Sequence, residues 1–215
     1  MDIDIRTFVE LQGVPFITNT VTTTWIIMIV MFAASMSVTR KLNMIPGTAQ
    51  QIAELLMEGI HWLVDNTMGE DKMNFAPFIL ALSLFILISN FMGLIAVRHP
   101  TADLNTTFAL AGITFLLVQY HGLRAKKLNY IKGFFQPLPF LFPLNLISEL
   151  ALPISLSFRL FGNMLGSIVI MIMMYMFVPI LVPIIGHIYF DLFIGLIQTF
   201  IFVMLTMTFI TLAMD

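Results

Sequence analysis

Cysteine is absent from the sequence, which excludes disulfides and thiolate metal sites and leaves the redox compartment open. Charge is scarce too: Asp, Glu, Lys and Arg make up 10% of the 215 residues, and no polar block is long enough to fold separately in water. A net charge of −2 excludes the basic footprint of a nucleic-acid binder. The opening residues "MDIDIRTFVELQGVPF" lack a basic start and a small-residue cleavage site, so a retained N-terminal segment is expected. There is no H-E-x-x-H zinc pattern and no G-x-x-x-x-G-K-[ST] phosphate loop, so neither metalloprotease chemistry nor a nucleotide site is expected. No internal repeat is visible, which counts against an ion-coupled secondary transporter, the alternative that would also keep buried charges.

What the sequence does have is apolar length. Hydrophobic residues make up 59%, and the mean hydropathy is +0.97, values that belong in a lipid bilayer. We expect one all-α membrane domain over 1–215, with five transmembrane helices and one interfacial amphipathic helix. After an outer segment, 1–20, a first span covers 21–38 and ends at Arg40 and Lys41. Residues 48–68 form the interfacial helix: Thr48 and Gln51 make a capping-box pattern, and Ile52, Leu55, Leu56, Ile60 and Leu63 recur at helical spacing opposite Gln50, Glu54, Glu58, His61 and Asp65. The second and third spans cover 73–97 and 104–121, and 138–178 with 180–213 form a long hairpin broken near Pro179 and Pro183. Arg124, Lys126, Lys127 and Lys132 crowd one short polar segment, which the positive-inside rule places in the cytoplasm. That puts the N-terminus outside and the C-terminus inside, with Arg98 the exception among the loops between spans and Arg6 in the outer N-terminal segment.

Ionisable residues at membrane depth are functional candidates by default. On the hairpin they are Glu149 and Arg159 on the first helix and His187 and Asp191 on the second, joined by the polar Asn163 and Gln198. Arg159 lies ten residues from Glu149, too deep to snorkel easily to either surface. Ser155, Arg159, Gly162, Asn163 and Gly166 share one helix stripe, while His187, Asp191, Gly195 and Gln198 share another. An antiparallel turn near residue 181 sets Arg159 opposite 203, within a turn or so of Gln198. His61 and His121 are expected to be solvated, and Asp103 either serves a helix start, where an acid is favoured, or lines a channel mouth.

The segment "PISLSFRLFGNMLG" closely resembles the signature of subunit a of F-type ATP synthases. "FILISNFMGLI", "PTADLNTT" and "LIQTFIFVMLTMTFITLAMD" match the same family in the same order, covering the chain from about residue 75 to its end. The resemblance implies a non-catalytic membrane stator subunit, without cofactor or metal, in a multi-pass position in the bacterial plasma membrane. Its implied partners are the c-ring, which the hairpin would face, the peripheral-stalk b subunits and the rest of the F-type complex. It implies proton or sodium ion passage through two offset half-channels. It also implies that Arg159 is the essential arginine, Asn163 the polar residue one turn on, Gln198 the glutamine packed against that arginine, Glu149 the upstream acid and Asp191 the ionisable residue seven places before the glutamine. Two positions depart from the pattern. Leu152 stands where many bacterial members have lysine. Ile168, nine residues after the arginine, stands where many carry glutamate or histidine, and His187 is the nearest replacement visible in the sequence.

Overall fold

The computed structural model describes residues 7–11, 14–40, 44, 47–95, 97, 99–127, 130, 140, 142–177 and 181–214, and only the backbone of 7–18 and 181. Arg98, Lys41, Lys132 and Pro179, on which parts of the sequence reading rest, lie outside the described residues.

A two-stranded antiparallel hairpin, β1 (Thr7–Leu11) and β2 (Val14–Thr18), precedes the membrane helices, with Thr7 opposite Thr18 and Leu11 opposite Val14. The expectation of an all-α membrane protein did not include this ribbon, although Thr, Val, Phe and Ile suit a pleated strand. The described regular elements after it are all helical. Helix α1 (Asn19–Thr39) carries hydroxyls into its apolar run, and several find a carbonyl one turn back: Thr23 donates to Asn19 O at 2.9 Å and Thr24 to Thr20 O at 2.8 Å. Most of its apolar surface is exposed, with Ile27 the buried exception.

Helix α2 (Thr48–Met68) buries Val64 and Met68 while Leu55 and Trp62 stay exposed. Its N-cap is Gly47, with extended φ −72° and ψ 167° and no side-chain cap bond, so the Thr48–Gln51 capping box does not form. Thr48 is already inside the first turn and sits one position too late to reach the N3 amide. A 3-10 turn (Glu70–Phe75) leads into α3 (Ala76–Phe91), which a second short 3-10 turn (Met92–Ile95) extends.

Helix α4 (Leu104–Lys126) is capped by Asp103, whose Oδ1 accepts from the Asn105 amide at 3.0 Å. That gives Asp103 the helix-start role expected of it. The helix outruns the expected span end at 121: hydropathy falls after Tyr120, but Leu123, Arg124, Ala125 and Lys126 are strong helix formers, and the helix stops only at Lys127 with φ 51°. Arg124 and Lys126 therefore lie in its last turn, where the macrodipole favours cations.

Helix α5 (Phe142–Phe177) contains Pro153, which has no N–H to return to the Glu149 carbonyl. Helix α6 (Leu181–His187) passes into a π-helical stretch, Ile188–Ile194, and then α7 (Gly195–Met214). Five helical segments are long and apolar enough to cross a membrane: Asn19–Thr39, Glu70–Ile95, Leu104–Lys126, Phe142–Phe177 and Val182–Met214. With α2 as the amphipathic sixth element, the chain is a multi-pass, all-α membrane protein.

Two apolar clusters hold the bundle. Val64, Met68, Ala76, Ile79, Val118, Val203, Met207 and Ile210 join α2, α3, α4 and α7. Leu82, Ile86, Leu110, Ala111, Leu156, Leu160 and Phe202 join α3, α4, α5 and α7. Polar seams add to them, Thr107 to Ser157 at 3.1 Å and Thr114 to Thr206 at 3.4 Å, as expected where lipid supplies no hydrophobic drive between helices. Helix α5 leans chiefly on α4 and meets α7 over a shorter stretch.

Candidate functional site

The polar side chains separate into three groups along the bundle. The first gathers around Asp191, at the centre of the π-helical stretch. Wider π turns re-aim side chains and recur at functional sites. Asp191 is 2% exposed, and both carboxylate oxygens face an imidazole: His187 Nδ1 lies 2.6 Å from Oδ2 and His99 Nε2 3.6 Å from Oδ1. His187 Nε2 in turn lies 2.9 Å from the Tyr175 hydroxyl, on exposed α5 surface. A bare carboxylate in such a place costs several kcal/mol, and paired bases offset that cost.

A buried hydrogen-bonded layer adjoins this group. Thr101 Oγ1 donates to Asn90 Oδ1 at 3.0 Å, and Asn90 Nδ2 reaches Gly195 O at 3.1 Å and Thr199 Oγ1 at 3.3 Å. Two segments that stood apart in the sequence, "FILISNFMGLI" and "PTADLNTT", thus meet on α7.

The second group is the seam of α5 and α7. Asn163 Nδ2 donates to Gln198 Oε1 at 2.6 Å, while the buried Gln198 Nε2 has no partner among the described residues. Arg159, one turn before Asn163, is exposed. The Arg159–Gln198 contact that the sequence register allowed is not made; Asn163 occupies the glutamine's acceptor oxygen. Among the described residues Arg159 has no ion pair.

The third group surrounds Glu149. Gln119 Nε2 donates to Glu149 Oε1 at 2.7 Å, and the Tyr130 hydroxyl lies 3.3 Å from the same oxygen and 3.2 Å from Gln119 Oε1. Partial burial, then the Glu149 charge and its hydrogen bond, push the Tyr130 hydroxyl up to about 12. It is therefore a donor that keeps its proton. Gly122 makes room for this ring: a Cβ there would lie 2.6 Å from Tyr130 Cε2.

Of the six residues singled out from the sequence, His187 and Asp191 form one cluster, Asn163 and Gln198 another, and Glu149 and Arg159 meet none of the other five. Sequence reasoning missed His99, Asn90, Thr101, Tyr175, Gln119 and Tyr130. His99 was within reach: it immediately precedes "PTAD", at the end of the second span that the topology places on the same side as Asp191. No group of three or more His, Asp or Glu arranged for a metal occurs among the described residues.

A buried acid between two bases, a separate acid held by neutral donors and an exposed arginine thus lie within one multi-pass membrane protein. The chain matches the ATP synthase A chain family over residues 21–211. It is 42% identical to ATP synthase subunit a of Moorella thermoacetica over 194 residues, 89% of this chain and 88% of that one. It is 38% identical to ATP synthase subunit a 2 of Syntrophotalea carbinolica, over 91% of this chain and 85% of that one. Against the subunit of Propionigenium modestum described as sodium ion specific, identity is 36% over 90% of this chain and 73% of that one. The chain belongs to the ATP synthase A chain family.

Proposed function

We propose that this chain is the stationary ion-conducting subunit of an F-type ATP synthase, carrying protons or sodium ions through two offset half-channels against the c-ring. The observation that carries the reading is the separation of the polar groups. The acid Glu149 lies ten residues before Arg159, roughly 15 Å along α5, and Asp191 lies seven residues before Gln198 on the antiparallel helix, on the other side of the Asn163–Gln198 seam. An ion therefore has polar footing toward each surface, with the Asn163–Gln198 seam between the two.

Orientation follows from charge. The cytoplasmic excess of Lys and Arg assigns Arg124, Lys126 and Lys127 to the inside, so the Glu149 group opens inward and the Asp191 group outward, with the N-terminus outside and the C-terminus in the cytoplasm. The membrane is the bacterial plasma membrane, and the partners are the c-ring, the peripheral-stalk b subunits and the remaining F-type subunits.

The resemblance supplies a carboxylate on each c-ring helix, which crosses lipid only when neutralised. At about 4 Å an arginine is worth roughly 4 kcal/mol to that carboxylate at an effective dielectric near 20, enough to displace its ion. The ion leaves by one half-channel, the bare carboxylate passes Arg159, and the other half-channel reloads it. Ion crossing then requires rotation. The membrane potential biases each turn by about 2.3 kcal/mol per charge per 100 mV. Arginine suits the post because it stays charged in poor solvent and cannot relay a proton, whereas a buried lysine deprotonates. Asn163 and Gln198 fix the α5–α7 seam beside it, leaving the Gln198 Nε2 donor uncommitted.

The test is ATP-driven ion pumping by the assembled complex in inverted membrane vesicles. Arg159→Lys should abolish it while ATP hydrolysis persists; wild-type pumping by that variant would refute the fixed-charge reading.

A further inference from the structure

We propose that His99 is a proton-holding residue of the outer half-channel, sharing one exchangeable proton with Asp191, so that this stator path carries protons. The inference rests on the outer-path reading above and names its ion.

The tautomer decides it. His99 is 5% exposed, and its Nδ1 lies 3.3 Å from the Ser89 backbone carbonyl, an atom that only accepts, so Nδ1 carries hydrogen. The other ring nitrogen, Nε2, faces Asp191 Oδ1 at 3.6 Å. In a neutral imidazole this Nε2 is a lone pair, and a carboxylate oxygen offers another. Two lone pairs facing each other in a dry pocket repel, and one proton on either atom turns that repulsion into an ion pair or a hydrogen bond. His187 imposes no such demand. The Tyr175 hydroxyl donates to its Nε2 at 2.9 Å, leaving Nδ1–H for Asp191 Oδ2 at 2.6 Å, so a neutral ring satisfies both contacts.

The cluster thus has an exposed end, Tyr175 and His187, and a buried end, His99. Loading balances in two steps. His187 takes a proton on Nε2 and gives its Nδ1 proton to Asp191 Oδ2. The carboxyl group then turns to pass that proton to His99 Nε2, and the His187 ring turns to point its remaining N–H back at Asp191, which is left a carboxylate between a neutral His187 and an imidazolium. Release toward the rotor retraces the last step through Asp191. The groups facing Asp191 among the described residues are His187 from the preceding α6 and His99 from the α3–α4 connection, with Ser89 and Asn90 the buried polar residues on α3 and Tyr175 beyond His187 on α5.

Gly93 shows how closely the site is built. A Cβ there would overlap the His99 ring and lie 2.5 Å from Asp191 Oδ2, so the backbone at the end of α3 lies directly against the pair. The same arrangement accounts for the missing family residue at Ile168: the base comes from a different segment.

The experiment measures passive proton flux against pH through the assembled membrane sector in vesicles. Three variants are compared: His99→Gln, which keeps a polar side chain of similar reach but cannot carry a proton, Gly93→Ala, which wedges the pair apart, and Asp191→Asn. We expect the first two to lose at least about tenfold in flux and to change how that flux depends on pH, which the loss of a merely structural contact would not do. Wild-type rate and profile in His99→Gln, with Asp191→Asn still slow, would overturn the role of His99 and leave the outer path standing. Wild-type flux in Asp191→Asn would instead overturn the outer path itself. Loss of assembly in both His99→Gln and Gly93→Ala would assign the contact to structure and overturn the proposal equally.

Discussion

The two acid clusters of this bundle solve opposite problems. Asp191 is buried, and its partners are bases; Glu149 is half-buried, and its partners, Gln119 and Tyr130, are neutral donors. Neutral donors stabilise a carboxylate that stays ionised near water. Bases around a dry carboxylate let the number of protons in the site change at little cost. Under the proposed function the Asp191 group stores a proton and the Glu149 group holds a charge; Arg159 is exposed and belongs to neither cluster.

The most severe way to break this contrast is to exchange the permanent charge between the clusters for a titratable one: Arg159→Lys should bring coupled pumping in vesicles down to background. Next come the outer variants. Asp191→Asn should slow flux on the order of a hundredfold, since it removes the only acid between two histidines, and His187→Ala should slow it less, because His99 still faces Asp191. The reverse order in flux assays would move the outer path onto His187. Glu149→Gln should cost only about tenfold, because the amide keeps an oxygen for Gln119 and Tyr130 and loses only the charge. Equal losses at Glu149 and Asp191 would erase the distinction between the clusters.

The mildest test uses pH. Burial and the neighbouring Glu149 push the Tyr130 hydroxyl from its ordinary 10.0 up to about 12, so its neutral form is favoured in the folded chain. The contribution of this contact to stability is full below the unfolded value and is lost as pH rises through the folded one. A spectrophotometric tyrosinate titration of the complex should show one late step that Tyr130→Phe removes. Gly122→Ala, by displacing the Tyr130 ring, should bring that step back toward 10.0.

Much of this was legible because lipid imposes strong rules. Arg159, Asp191 and Glu149 stand out in any sequence whose neighbours are nearly all apolar, and helical spacing placed Asn163 a turn from Arg159. The capping of α4 by Asp103 was local and therefore readable, and the false capping box at Thr48 failed by a single residue, which is the usual precision of helix ends. His99, Gln119 and Tyr130 were not singled out because each acts on a residue far away in the chain: His99 on Asp191, Gln119 and Tyr130 on Glu149.

By itself, then, the sequence determined the class of molecule, the five long apolar helices and the acids and the arginine that hydrocarbon makes conspicuous, because burial in lipid penalises every charge that has no use. Only the tertiary structure decided which partner each acid takes. The π-helical turn at Ile188–Ile194, the unsubstituted backbone at Gly93 and the packing of α3 against α7 set a carboxylate between two particular imidazoles, and no periodicity along one chain encodes a meeting of three separate segments.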